Sequence, residues 1–494
     1  MAISDFMKLH EKIFDLALKR SFFYPSNEPY GATGGLYDYG PVGAPIKRKI
    51  EALWRKMFIQ EEGFLEVESA LITPEIILKA SGHVDNFADP IFECKKCGTK
   101  VRADSFIADT ISDFKWDGKI ESLNKALEEN GLKCPRCSSE FSHARMFNLM
   151  FATGIGAERA PAYVRPETAQ GIFTAFPRLF RNHGTALPMA IGQIGRSFRN
   201  EISPRKGLIR MREFTQMELE YFFDPENQEI PRFVDVADYK MRFMINGKTE
   251  IKTADECVAE GIVPNEIFAY FLVKEWKFYK AVGVDELRMY FRVLGDEETP
   301  HYSRRNIDME VETSFGIIET IGNAYRTDFD LSQHAKFSGE NFAVSLGGRK
   351  IIPHVFEASL GVDRLFFCIL EHAFREASSD KDWEWFDFRP AIAPYDAAVY
   401  PLMKRDGLDE KARDVARLLR KELSILYSES GSIGRRYARA DEIGVPYAIT
   451  VDYDTLKDDT VTIRYRNDGK QERVNIKELI DKIEENIVHE KVSL

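Results

Sequence analysis

Between Ala186 and Phe223 the sequence runs LPMAIGQIGRSFRNE, then ISPRKGLIRM, then REFTQMELEYFF. Two long β-forming segments flank a loop rich in glycine, proline and cations, the pattern of an antiparallel hairpin with an extended tip. Such a hairpin commits this part of the chain to an antiparallel sheet, and long ordered tips on a sheet are commonly functional. Strands resume at FGIIETIG, and HVFEASLGVDRLFFCILEHAF reads as a strand running into an apolar helix. Residues 233–305 are mixed and charged, with a helical patch from Glu266 to Ala281. After Pro390 and Pro394, the segments AAVYPLM, ARDVARLLRKELS, YAITVD and VTIRYR alternate strand and helix, which marks a separate α/β domain.

The length of 494 residues predicts about three domains at roughly 150 residues each. The longest apolar stretches, such as Leu365 to Leu370, fall far short of the ~20 residues a bilayer crossing needs. Asp5, Lys8 and Glu11 interrupt the N-terminal periodicity, so no secretory leader is expected and the reading is a cytoplasmic protein with no membrane partner. With 68 Lys and Arg against 79 Asp and Glu, the formal charge is −11. A protein coating nucleic acid with its whole surface would not have that balance, although a local basic face remains compatible with it.

Four of six cysteines form two pairs, Cys94-Lys-Lys-Cys97 and Cys134-Pro-Arg-Cys137. Each CxxC turn can present two thiolates to one ion, and two such turns make a four-sulfur tetrahedral site of the structural zinc type. A redox or disulfide role and incidental thiols are the alternatives. Cys257 and Cys368 read as ordinary buried residues.

Pro74 after its strand, the run Phe198-Arg199-Asn200-Glu201 with Arg212-Glu213-Phe214, and Gly361-Val362-Asp363-Arg364 opening a helix resemble, in order and spacing, the three motifs of class II aminoacyl-tRNA synthetases. Longer segments (YGATGGLYDYGPVG, RPETAQGIF, FRNEISPRKGLIRMREFTQMELEYFFDP and GSIGRRYARADEIGVPYAITVD) resemble the glycyl-tRNA synthetases of the dimeric, single-chain type. The resemblance implies an α+β fold with an antiparallel sheet of six or seven strands flanked by helices, plus a C-terminal α/β anticodon-binding domain. It implies this division: 1–91, the first part of the catalytic domain with a dimer-interface motif; 92–141, the zinc-binding insert; 142–232, the core with the ATP-binding hairpin; 233–305, an insertion; 306–388, the rest of the core; and 389–494, the anticodon-binding domain. The implied activity is that of a glycine–tRNA ligase, an AMP-forming enzyme taking ATP, glycine and tRNA(Gly), with Mg²⁺ on the phosphates, structural Zn²⁺ and a homodimeric assembly.

Amino-acid activation brings a carboxylate against the α-phosphorus of ATP, two anions in approach, so it depends on positioning and charge neutralisation. Arginine supplies fixed donors for both partners. The resemblance implies catalytic roles for Arg199, on the α-phosphate, and Arg364, on the γ-phosphate side. Around them it implies an ATP site of Asn200, Glu201 (to the adenine amino group), Leu208, Ile209, Arg210 (near the distal phosphates), Arg212, Phe214 (stacked on the purine), Glu319, Thr320 and Gly361. For glycine it implies Arg102, Glu167, Glu218, Glu357, Ser359, Phe214 and Gly361, the glutamates receiving the ammonium group. Arg435, Arg436 and Arg439 are the expected tRNA contacts. Another synthetase of the same subclass (prolyl, threonyl or histidyl) and an inactive relative that only binds nucleic acid are the rivals. Glu218, Glu357 and Ser359 argue against the first, and Arg199 with Arg364 against the second.

Overall fold

The computed structural model describes residues 3–112, 114–184, 186–204, 206–295, 297–300, 302–379 and 381–492; residue 205, in the hairpin tip, lies outside the described residues. Side chains are described from residue 9 to residue 485. The expected hairpin is present, with Met189–Phe198 paired antiparallel to Glu213–Phe223 over the full length of the first strand. It lies in a sheet of nine strands among the described residues. Their order is Lys248–Thr253, Lys240–Ile245, Met289–Val293, Asn306–Thr313, Gly316–Thr327, His354–Gly361, Glu213–Phe223, Met189–Phe198 and Leu65–Glu66.

The expected six or seven strands form the part from Met289–Val293 to Leu65–Glu66, antiparallel except where Leu65–Glu66 joins parallel at the edge. The extension comes from the 233–305 insertion. Its hairpin turns at Asn246-Gly247, both residues at positive φ (49° and 76°). Asn-Gly is the residue pair that a two-residue hairpin turn of that geometry favours. Met241 and Phe243 bury one face of its first strand.

Alternation along Glu213–Phe223 sorts the two faces of the sheet. Met217, Leu219, Tyr221 and Phe223 enter the main core, where Tyr221 meets Phe271 of helix Glu266–Ala281 edge-on at 5.2 Å. That helix is buried nearly all round, as its apolar composition requires. On the other face Phe222 is covered by helix Ala169–Asn182, with Phe176 stacked on it at 4.3 Å. Toward the other end of the strand the same face carries Glu220, Glu218 and Gln216, all buried, and then Phe214.

The cysteine insert has a sheet of its own, ordered Lys100–Arg102, Ala88–Glu93, Arg145–Asn148, with a small core around Phe92, Ile107, Leu123 and Phe141. Its paired strands thus begin and end outside the expected 92–141. The C-terminal domain is a mixed five-stranded sheet, ordered Ile425–Tyr427, Ala397–Pro401, Tyr447–Val451, Thr460–Tyr465, Gln471–Asn475, with its own core. Among the described residues no helix is long and apolar enough to cross a membrane.

Candidate active site

The hairpin tip folds back over the end of the sheet and meets the first turn of helix Val362–Ala373. Arg199 leaves the strand with its backbone N–H donating to Arg212 O (2.9 Å). Its guanidinium lies between the rings of Phe87 (5.2 Å) and Phe214 (5.3 Å), and its Nε donates to Pro166 O at 3.3 Å. Arg364 follows Gly361, the residue preceding the helix, and is fixed by two carbonyls, Nε to Ile209 O (3.2 Å) and Nη1 to Glu319 O (2.8 Å). Asp363 secures the same turn, accepting from Tyr39 Oη (2.6 Å) and from Thr215 N–H (2.6 Å). The N-terminal end of the helix, where the backbone dipole favours an anion, therefore opens beside Arg364.

One pocket is lined by Arg199, Glu201, Leu208, Ile209, Arg210, Phe214, Glu319, Thr320, Ser359, Gly361 and Arg364, with Met211, Gln216 and Asp363 completing it. It gathers most of the residues expected for ATP and three expected for glycine, Phe214, Ser359 and Gly361. Glu201 accepts from Arg210 Nε at 2.5 Å. Asn200 and Arg212 lie behind this lining. Asn200 N–H donates to Leu149 O (2.6 Å), and the Arg212 guanidinium bridges Gly34 O (2.6 Å) and Glu201 O (2.9 Å), bracing the tip rather than facing the space. Arg102 also departs from its expected place. It pairs with Asp104 (2.8 Å) and Asp89 (3.2 Å), and Asp89 reaches Arg210 at 3.8 Å. Arg102 thus belongs to the network around the tip; among the described residues it makes no hydrogen bond or ion pair with Glu167, Glu218 or Glu357.

Behind Ser359 lies an acidic cluster. Cross-strand register sets Glu218 opposite Ser359 and Glu220 opposite Glu357. Ser359 Oγ donates to Glu218 Oε1 (2.6 Å), as does Gln216 Nε2 (2.8 Å), while Thr168 gives its N–H (2.9 Å) and its hydroxyl to Oε2. Glu167 accepts from Gln170 Nε2 (2.8 Å) and lies 3.2 Å from His83 Nε2. Glu357 accepts from Arg326 Nη1 at 2.8 Å, and Arg326 also forks onto Asp330 (2.6 and 2.9 Å).

Burial and the neighbouring Glu167 charge push the Glu218 carboxyl up, against the hydrogen bonds from Ser359 and Thr168. Burial raises Glu357 too, and Arg326 offsets it only in part, leaving it at about 7. At Glu167 burial acts upward, but His83 and Arg326 outweigh it and hold the carboxyl well below the usual range. The site therefore sets Glu167, Glu218, Glu357 and Asp330 around one buried guanidinium, Arg326, so that acidic groups outnumber the cation and a bound ammonium group would relieve their repulsion.

Glu220, Arg326, Asp330 and His83 were not expected. Glu220 is fully buried, and neither carboxylate oxygen has a hydrogen-bond partner among the described residues; burial and then Glu357 push it well above the carboxylate range. Its signal in the sequence was the two-residue period that places it on the face of Glu218. Arg326 lies near the end of its strand, 31 positions before Glu357, and that pairing is set by sheet order, whereas Asp330 is four residues on.

The four cysteine Sγ atoms lie within 4.8 Å of one another, the spacing a tetrahedral four-thiolate zinc site requires. The two turns repeat each other. Cys94 and Cys134 each donate an N–H to the carbonyl five residues on (2.9 Å in both), and Gly98 and Ser138, following the second cysteine, adopt positive φ (66° and 57°). The Thr99 hydroxyl, hydrogen-bonded to Cys97 Sγ (3.1 Å), chiefly pulls that thiol down to about 6, and Ser139 acts likewise on Cys137. All four cysteines are unpaired as disulfides.

In the C-terminal domain Arg435 and Arg439 are exposed on helix Ile433–Glu442. Arg436 is not available to a partner, contrary to expectation: it is buried, donates to Pro401 O (2.6 Å) and Ser428 O (3.4 Å), and lies over the Tyr400 ring at 5.5 Å.

Comparison with known proteins bears on both halves of the chain. The family model described as tRNA synthetase class II core domain (G, H, P, S and T) matches residues 156–373, and the anticodon binding domain model matches residues 396–486. The chain is 38% identical to the glycine–tRNA ligase of Methanocaldococcus jannaschii, covering 97% of this chain and 99% of that protein. It is 39% identical to the glycine–tRNA ligase of Pyrococcus horikoshii, covering 96% and 98%. Among solved structures, a prolyl-tRNA synthetase from Cryptosporidium parvum superposes with a TM-score of 0.59 at 12% identity, covering 97% of this chain and 78% of that one, a likeness of fold.

Proposed function

The chain belongs to the glycine–tRNA ligase family, and from that premise we propose how its residues divide the work of an enzyme that activates glycine with ATP and transfers it to the 3′ end of tRNA(Gly). The glycine carboxylate attacks the α-phosphorus, pyrophosphate leaves, and the terminal hydroxyl of the tRNA then displaces AMP from the glycyl carbonyl. Arg199 neutralises the α-phosphate and the approaching carboxylate, and Arg364 holds the distal phosphates with Arg210. Phe214 carries the adenine ring, Glu201 accepts from its amino group, and Leu208, Ile209, Thr320 and Gly361 shape the surrounding walls. Mg²⁺ would accompany ATP at Glu319. No side chain acts as a nucleophile; the acceleration comes from orientation and fixed charge.

Glu218, Glu167, Glu357 and Ser359 receive the glycine ammonium group. A site of this kind selects by size, since a larger amino acid meets side chains already in contact. The observation that carries this reading is the Ser359 Oγ hydrogen bond to Glu218, because Ser359 also lines the arginine pocket and so joins the acidic end to the phosphate end. Pyrophosphate exchange measured with each of the twenty amino acids tests it. Glycine-dependent exchange alone is expected; exchange with proline or threonine and none with glycine would overturn it.

Three further assignments belong to the same reading. Cys94, Cys97, Cys134 and Cys137 would hold a structural zinc ion. Leu71, Ile72, Ile76 and Ile155, all at least 42% exposed, flank the segment of Pro74 and would form the contact between two copies in a homodimer, which sedimentation at micromolar concentration would reveal or refute. Arg435 and Arg439 would meet tRNA.

A further inference from the structure

We propose that Gln193 is a positioning residue for the ammonium end of the pocket, holding Thr168 and through it the Glu218 carboxylate; this rests on the reading of Glu218 as a glycine ligand. Gln193 is fully buried on the first hairpin strand, directly across from Glu218. Its Oε1 accepts from Ser69 N–H (2.6 Å) and from the Ser69 hydroxyl (2.7 Å), and its Nε2 donates to Thr168 O (3.0 Å). Only one orientation of the amide satisfies a backbone donor at one end and a carbonyl at the other.

Thr168 precedes helix Ala169–Asn182, where a threonine hydroxyl ordinarily caps the first turn. Here it makes no cap and turns to Glu218 instead, together with its own N–H. The orientation of Thr168 is therefore fixed from behind, by Gln193. Ser69 is fixed in turn by Arg165, whose Nη1 donates to Ser69 O (3.0 Å) and Oγ (2.9 Å) while its Nε donates to Arg196 O (2.8 Å).

This polar chain occupies space that two glycines leave free. A Cβ at Gly171 would stand 2.1 Å from Ser69 Oγ, and one at Gly195 would stand 2.2 Å from Arg165 Nη2. Loss of the chain frees Thr168 and removes donors that favour the ionised form of Glu218, a buried carboxyl already pushed upward.

Two variants test this in glycine-dependent pyrophosphate exchange. Gln193→Met keeps length and apolar volume without the amide. Gly171→Ala favours its helix while displacing Ser69. Both are expected to raise the KM for glycine by about tenfold, the scale of one lost buried hydrogen bond. The KM for ATP should stay within about twofold, and the pH at which the glycine KM reaches its plateau should move upward. Unchanged glycine KM in the folded variants would overturn the proposal, as would a fall in kcat with both KM values and the pH profile intact. Should Gln193→Met fail to fold, Gly171→Ala decides alone. Absence of glycine-dependent exchange in the parent enzyme would remove the reading of Glu218, and this inference with it.

Discussion

At the residue scale the site is a problem of charge. Arg199 places its guanidinium between the Phe87 and Phe214 rings in the pocket lining. Its replacement in Arg199→Ala is expected to cut adenylate formation by at least ~10²-fold, the scale of losing one preorganised donor, with the thermal transition retained; preserved pyrophosphate exchange would remove it from its role. Glu357, at about 7, gives the pH dependence. Ammonium binding needs the ionised carboxylate, so the glycine KM should fall as pH rises through about 7. The stability sign is opposite. A carboxyl whose pKa is higher folded than unfolded contributes stability below its unfolded pKa and loses it as pH rises through the folded value. The empty enzyme should therefore lose thermal stability across that window, and the stabilisation by saturating glycine should grow; a glycine shift independent of pH from 6 to 8 would contradict this.

At the element scale, the long hairpin and the strand-to-helix segment 354–373 were legible because turn residues, alternation and apolar periodicity agree there. Glu218 and Ser359 could be assigned from motif, and Glu220 could have been found from its period. Arg326 could not, because its link to Glu357, 31 positions on, exists only through sheet order, although Asp330 stands four residues away. The Asn246-Gly247 turn signal was present but lay inside a segment read as mixed and charged, with only a helical patch assigned. The insert illustrates the reverse case: cysteine spacing was sufficient for the cluster, while the pairing of its strands at Ala88 and Asn148, outside the cysteine pairs, is set by contacts distant in sequence. About one zinc per chain is expected by elemental analysis. Chelation should loosen the insert before the catalytic sheet, read by hydrogen exchange at Phe92 and Leu123; a stable metal-free preparation would refute the site.

At the scale of the whole molecule, an acidic chain must hold a polyanion on a limited face. The C-terminal domain is tied to the core by Arg466, which donates to Asp387 (2.7 Å) and Phe388 O (2.8 Å), and by Lys49 to Asp396 (2.7 Å). Periodicity from Ile433 through Ala440 already puts Arg436 on the inner side of its helix, a point that a count of basic residues conceals. Arg435→Ala with Arg439→Ala should weaken tRNA binding and flatten its salt dependence by about one to two counterions, without changing glycine activation. Arg436→Ala should instead lower thermal stability. Equal stability loss in all three would undo the distinction.

The most direct test is a crystal structure with a non-hydrolysable analogue of glycyl adenylate. The amine should lie within hydrogen-bond distance of Glu218 and Ser359, with the group replacing the α-phosphate against Arg199. An analogue bound with its amine away from the acidic residues, or with Arg199 and Glu218 contacting different molecules, would contradict the account.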